Sequence, residues 1–116
     1  MQRMTLIALL LLSPALHAGK ADVVDVKVEC SYACTFNVTV KHADTGWDHY
    51  ANQWQVLAPD GTVLGTRVLY HPHVEEQPFT RSLSGVKIPG DVRWVTVRAR
   101  DSVHGYGGLE KKVKVK

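Results

Sequence analysis

Apolar and polar residues alternate with period two along most of the chain. Val24, Val26 and Val28 are interleaved with Asp25 and Lys27, and Phe36, Val38 and Val40 with Asn37, Thr39 and Lys41. Trp54 and Val56 alternate with Gln53 and Gln55, and Val95, Val97 and Ala99 with Thr96, Arg98 and Arg100. Leu64 to Tyr70 is a mostly apolar run, and Leu109, Val113 and Val115 close the chain. Phe79 and Leu83 share one parity and Val86 and Ile88 the other, which places a bulge at Ser84-Gly85. Alternation of this kind is the mark of half-buried strands, and no stretch repeats apolar residues at helical spacing. Ala58-Pro59-Asp60-Gly61 and Ile88-Pro89-Gly90-Asp91 read as tight turns, and Gly105-Tyr106-Gly107-Gly108 as a flexible connection. Seven short strands with turns at this spacing predict one all-β antiparallel sandwich.

The first eighteen residues depart from that pattern. Arg3 precedes an apolar stretch, Leu6 to Leu12, which Ser13 and Pro14 break, and His17-Ala18 offers a small residue at a cleavage point. This is the layout of a signal peptide, with an apolar run too short to span a bilayer. The expected division is a leader at 1–18 and one sandwich domain at 19–116, with the mature protein periplasmic or secreted and without a membrane span. Beyond the leader, thirteen Lys and Arg face eleven Asp and Glu, a formal charge of +2. No basic cluster is interleaved with aromatics, so nucleic acid is not an expected partner. Lys111, Lys112, Lys114 and Lys116 fall among apolar residues as on the outer face of a strand, and they work against pairing of that strand with another copy. An oxidising compartment makes a Cys30–Cys34 disulfide available, and so short a loop assigns it to pinning a local corner.

The pattern resembles the immunoglobulin and fibronectin type III superfamily over the whole mature chain. The nearest local likeness is Trp94-Val95-Thr96-Val97-Arg98-Ala99-Arg100-Asp101, which looks like the sixth strand of a fibronectin type III-like module. The resemblance implies an immunoglobulin-like sandwich. The inter-sheet cysteine pair of antibody domains has no counterpart. The blocks Gly46-Trp47-Asp48-His49-Tyr50, His71-Pro72-His73 and His104-Gly105-Tyr106-Gly107-Gly108 also resemble small uncharacterised exported proteins of Gram-negative bacteria. Neither likeness brings a function with it.

If consecutive strands run antiparallel, connections 43–50, 71–77 and 102–108 share one pole. The Cys30–Cys34 corner and the turns at 58–61 and 88–91 share the other. All five histidines beyond the leader, His42, His49, His71, His73 and His104, then fall on or beside the first of these poles. His71-Pro72-His73 is the sharpest element, because residues two apart in extended chain project to one side and Pro72 biases His71 towards extension. The expected metal ligands are His71 and His73 with His49 or His104, and Asp48, Glu75 or Asp101 supply a fourth ligand or a carboxylate behind a ligand. Nitrogen and oxygen donors without an available thiolate or thioether favour Zn²⁺ or Cu²⁺ over Cu⁺. His42 reads as a strand cap. Five imidazoles at one pole would also repel one another once protonated, which would make the pole sensitive to pH.

A metal-free alternative uses the same pole: Trp47, Tyr70 and Tyr106 contact an exported protein or a glycan. Trp47 is expected to fold back as a lid on the core in preference to standing exposed, and Trp54 and Trp94 are expected in the core or on a sheet face. Arg81 shares the parity of Phe79 and Leu83 and needs a carboxylate, Glu76 or Asp101. Asn37-Val38-Thr39 matches a glycosylation acceptor but lies mid-strand. No nucleophile elbow, P-loop or dinucleotide fingerprint is present in the sequence, so a binding role is expected in preference to catalysis. A hydrolytic metal site with Glu75 or Glu76 as base is the minor reading.

Overall fold

The computed structural model describes residues 19–116; the leader read at 1–18 lies outside the described residues. Seven strands follow one another: β1 (Asp22–Cys30), β2 (Cys34–Lys41), β3 (Ala51–Leu57), β4 (Val63–Val68), β5 (Phe79–Val86), β6 (Trp94–Asp101) and β7 (Lys111–Lys114). They form two antiparallel sheets, β1-β2-β5 and β4-β3-β6-β7. The alternating pattern dictates this arrangement, since each strand buries one face and the two apolar faces must cover each other.

The core is the inward parity of the strands. Val38, Val40, Phe36 and Phe79 of one sheet meet Trp54, Val56, Val95 and Val97 of the other, all essentially without exposure. Ser84-Gly85 is a bulge as expected: Phe36 pairs Leu83 and Cys34 pairs Val86, so β5 spends one residue more than β2 between these pairs. A second irregularity, between Val23 and Asp25 of β1, escapes the alternating pattern. It changes parity there, so that Val23 joins Val26 and Val28 on the core side and Val24 does not. Trp54 is fully buried, whereas Trp94 lies about half exposed on the outer face of β6.

Cys30 and Cys34 are disulfide-bonded with Cα atoms 4.0 Å apart, closing the β1–β2 hairpin. The strand directions put this corner and the 58–62 and 87–93 connections at one pole. The 42–50, 69–78 and 102–110 connections share the other pole with the start of β1. Among the described residues no helix is long and apolar enough to cross a membrane.

Candidate metal centre

Two strands carry their inward parity one step past the apolar core, and each ends on a polar residue. On β2 the inward series Phe36, Val38, Val40 continues to His42 and Asp44; on β6 the series Val95, Val97, Ala99 continues to Asp101. All three polar residues are buried. Burying a carboxylate or an imidazole is costly unless partners replace the lost water. Those partners organise the pole.

Asp44 is fully enclosed. Its Oδ1 accepts hydrogen bonds from His42 Nδ1 (2.5 Å) and the Ala51 amide (3.0 Å), and its Oδ2 accepts one from the His73 amide (2.7 Å). One side chain thus ties the end of β2 to the start of β3 and to the β4–β5 connection. It also sets the tautomer of His42: a proton on Nδ1 leaves Nε2 with a lone pair.

That lone pair faces His49. His42 Nε2 lies 3.3 Å from His49 Nε2 and 3.1 Å from the Gly19 carbonyl oxygen. The His49 amide donates to the Gly46 carbonyl, and the Thr45 amide to that of His49. The resulting tight turn carries Trp47 and Asp48 outward at its tip and aims the His49 ring inward. His49 Nε2 lies 2.8 Å from Asp101 Oδ2 and 3.2 Å from the Gly19 oxygen. His104, from the next connection, adds Nδ1 at 3.0 Å from the same Asp101 oxygen, and its ring sits 4.9 Å from that of His49.

The loading of Asp101 is lopsided. Oδ2 takes the two imidazoles and the amides of Val103 and His104, whereas Oδ1 is buried with no hydrogen-bond partner among the described residues. Burial pushes the Asp101 carboxyl up. The backbone and ring of His104, the Val103 amide and His49 pull it down further, and the net position is below the ordinary carboxylate value. Asp101 therefore stays anionic at neutral pH.

His42, His49 and Asp101 each place a ligand atom within 4.8 Å of the other two. This group is close enough to hold a metal ion. His71 and His73 are not part of it. Their rings lie 4.7 Å apart, but His73 is buried, stacks on Phe79 at 4.0 Å, and has Nε2 2.9 Å from an Arg81 guanidinium nitrogen. Arginine can only donate, so Nε2 is an acceptor already in use and the buried Nδ1 carries the proton. Burial, with Arg81 and His71 alongside, holds the His73 ring below the usual imidazole pKa. Arg81 also pairs with Glu76 at 3.3 Å, the nearer of its two expected partners. Asp48 and Glu75 are exposed and lie outside the triad.

The aromatics divide. Trp47 is no lid: it is 68% exposed, edge-on to Tyr50 at 5.6 Å, because its turn points away from the core. Tyr70 is also exposed. Tyr106 is fixed on the sheet, its hydroxyl accepting from Gln53 (2.6 Å) and its ring under the Arg98 guanidinium at 3.8 Å.

No protein-family model matches the chain. A protein named "Putative lipoprotein" from Halomicrobium mukohataei is 44% identical over 95 residues, which cover 80% of this chain and 46% of that protein. The chain thus spans about half the length of the relative it matches. Among solved structures, a hypothetical protein from Pyrococcus horikoshii OT3 shares the fold, with a TM-score of 0.57 at 12% identity over 91% of this chain and the whole of that one.

Proposed function

We propose that the protein is an exported, non-enzymatic binding domain that takes up one divalent cation, Cu²⁺ or Zn²⁺, at His42, His49 and Asp101, with His104 at the rim. The observation that carries this reading is the convergence of acceptors on one imidazole nitrogen. With Nδ1 of His42 committed to Asp44, the Nε2 of His42, the Gly19 carbonyl oxygen and Asp101 Oδ2 all lie within 3.3 Å of His49 Nε2, which has at most one proton to give them. A cation in place of that proton would satisfy all of them at once. Ligands about 2.0 Å from one ion stand about 2.8 Å apart at a right angle and about 3.3 Å apart at the tetrahedral angle. The His49–Asp101 and His42–His49 separations are 2.8 and 3.3 Å and all three ligand atoms lie within 4.8 Å of one another, so side-chain adjustment between His42 and Asp101 would close the set around one ion. The Asp44 carboxylate, bonded to the His42 ring nitrogen that faces away from His49, is the kind of support that metal-binding imidazoles use.

The leader-like first eighteen residues and the likeness to a lipoprotein-named relative support export. The strand order β1-β2-β5 and β4-β3-β6-β7 supports the immunoglobulin-like, and within it the fibronectin type III-like, reading of the sandwich. The exposed Trp47, Tyr70, Val74 and Val103 beside the site favour a second role for this pole, docking a protein or glycan partner without metal.

Calorimetric titration of the metal-stripped protein with Cu²⁺ and Zn²⁺ tests the main reading. One ion per chain should bind, with affinity falling at least tenfold in His49→Ala and in Asp101→Asn. Unchanged affinity in both variants would remove the triad as the site.

A further inference from the structure

The Gly19 carbonyl oxygen is a participant in the histidine cluster, at 3.1 Å from His42 Nε2 and 3.2 Å from His49 Nε2. Gly19 is also the residue that directly follows the Leu16-His17-Ala18 cleavage point read in the sequence. We infer that leader removal creates a metal ligand: the freed α-amine of Gly19 joins its own carbonyl oxygen in chelating the cation held by His42, His49 and Asp101. This rests on the metal reading above and on leader cleavage after Ala18.

Three features support it. First, covalent geometry leaves no distance to cover. The nitrogen and the carbonyl oxygen of one residue are never more than about 3.6 Å apart. With an ion they close a five-membered ring through N, Cα, C and O, provided that the nitrogen is an amine and not a peptide N–H. In the precursor this nitrogen is an amide with no lone pair to give, so the site is complete only after processing.

Second, the segment is pinned where it lies. Ala21 is fully buried, the Val23 amide donates to the Leu109 carbonyl, and the Leu109 amide donates to Asp22 Oδ1. Gly108 packs so tightly that a Cβ there would fall 2.0 Å from the Ala21 carbonyl oxygen. The loop after β6 therefore clamps residues 20–22 and holds Gly19 against the rings.

Third, only glycine fits. A Cβ on Gly19 would stand 2.7 Å from His104 Cε1, in contact with the ring that also faces Asp101. The lack of a side chain lets the backbone of residue 19 reach a space walled by three imidazoles.

The completed set of amine nitrogen, carbonyl oxygen, two imidazole nitrogens and one carboxylate is the mixed N,O set that Cu²⁺ prefers in tetragonal geometry, so Cu²⁺ is the expected ion over Zn²⁺. Binding must displace a proton, because a free α-amine has a pKa of about 7.7–8.0.

The test uses the exported protein. Intact mass of protein recovered after export from the full-length chain should begin at Gly19; any other start overturns the inference. Cu²⁺ affinity is then compared with that of a variant carrying one serine between Ala18 and Gly19, exported and confirmed by mass to begin at that serine. The insertion moves the amine about 3.8 Å down the chain and leaves the histidines untouched. The expected result is at least a tenfold weaker Kd for the extended protein and about one proton fewer released at pH 7, with equal melting temperatures for the two metal-free proteins. Equal Kd and equal proton release would overturn the inference and leave the histidine site standing. Absence of Cu²⁺ and Zn²⁺ binding in both proteins would overturn the metal reading beneath it.

Discussion

Asp44→Ala tests how the pole is held together. The side chain is completely enclosed and accepts three hydrogen bonds, from the His42 ring and from the amides of Ala51 and His73. Truncation leaves both amides without an acceptor in a site that water does not reach. A buried donor left unsatisfied costs about 1–3 kcal/mol, so the two amides alone cost about 2–6 kcal/mol. Against a total stability of about 5–15 kcal/mol for a domain of this size, that is a large fraction. Asp44→Asn keeps the shape and one acceptor oxygen but turns an NH₂ towards at least one donor, so its cost should be about half as large. The assay is urea unfolding of both variants in the metal-free state, read as a drop in midpoint at unchanged slope. The same substitutions release the His42 tautomer, and removing such a supporting carboxylate costs about 10–100-fold in metal affinity. A loss below about 1 kcal/mol in Asp44→Ala would refute the claim that Asp44 is the tie between β2, β3 and the β4–β5 connection.

Three further outcomes are expected. His73, held below the usual imidazole pKa by burial and by Arg81, folds as the neutral ring; its contribution to stability is present above about pH 6.5 and is lost as pH falls through the lowered value. NMR titration of the ring should find its midpoint below about 6.5, and a midpoint above that value would contradict the burial argument. Reduction of the Cys30–Cys34 disulfide should cost only about 2 kcal/mol, because it closes so short a loop; complete unfolding by reductant under otherwise native conditions would show that the corner does more. Trp54→Ala empties the centre of the core and should cost about 3–5 kcal/mol in the same urea assay, with a cost under 1 kcal/mol placing the core elsewhere.

Period-two alternation made the strands, the sandwich and the polarity of its two ends readable, because each strand buries one face and consecutive strands reverse direction. The bulge at Ser84-Gly85 was visible as a change of parity, whereas the irregularity near Val24 was hidden, since Val23 and Val24 are equally apolar. In the polar cluster that the structure shows at this pole, His49, His104 and Asp101 are residues the sequence singles out, whereas His42 reads there as a strand cap and Asp44 and Gly19 carry no assigned role. The first two carried a signal in the pattern already used: His42 and Asp44 extend the inward parity of β2, as Asp101 extends that of β6. A polar residue on a core parity at the end of a strand must be partnered when buried, and here such residues from two sheets meet. His71-Pro72-His73 stands out by local spacing alone, and spacing does not show that Arg81, eight residues on in β5, occupies the His73 ring. Gly19 could be recognised only once the fold had brought the start of β1 to the same pole.

The most direct measurement is long-range ¹H–¹⁵N NMR of the histidine rings during Zn²⁺ titration, since it reports which nitrogen binds. Saturable shifts are expected at Nε2 of His42 and Nε2 of His49, with accompanying changes at His104 and unperturbed rings at His71 and His73. Shifts confined to His71 and His73, or none at any ring at saturating zinc, would rule out the triad as the site.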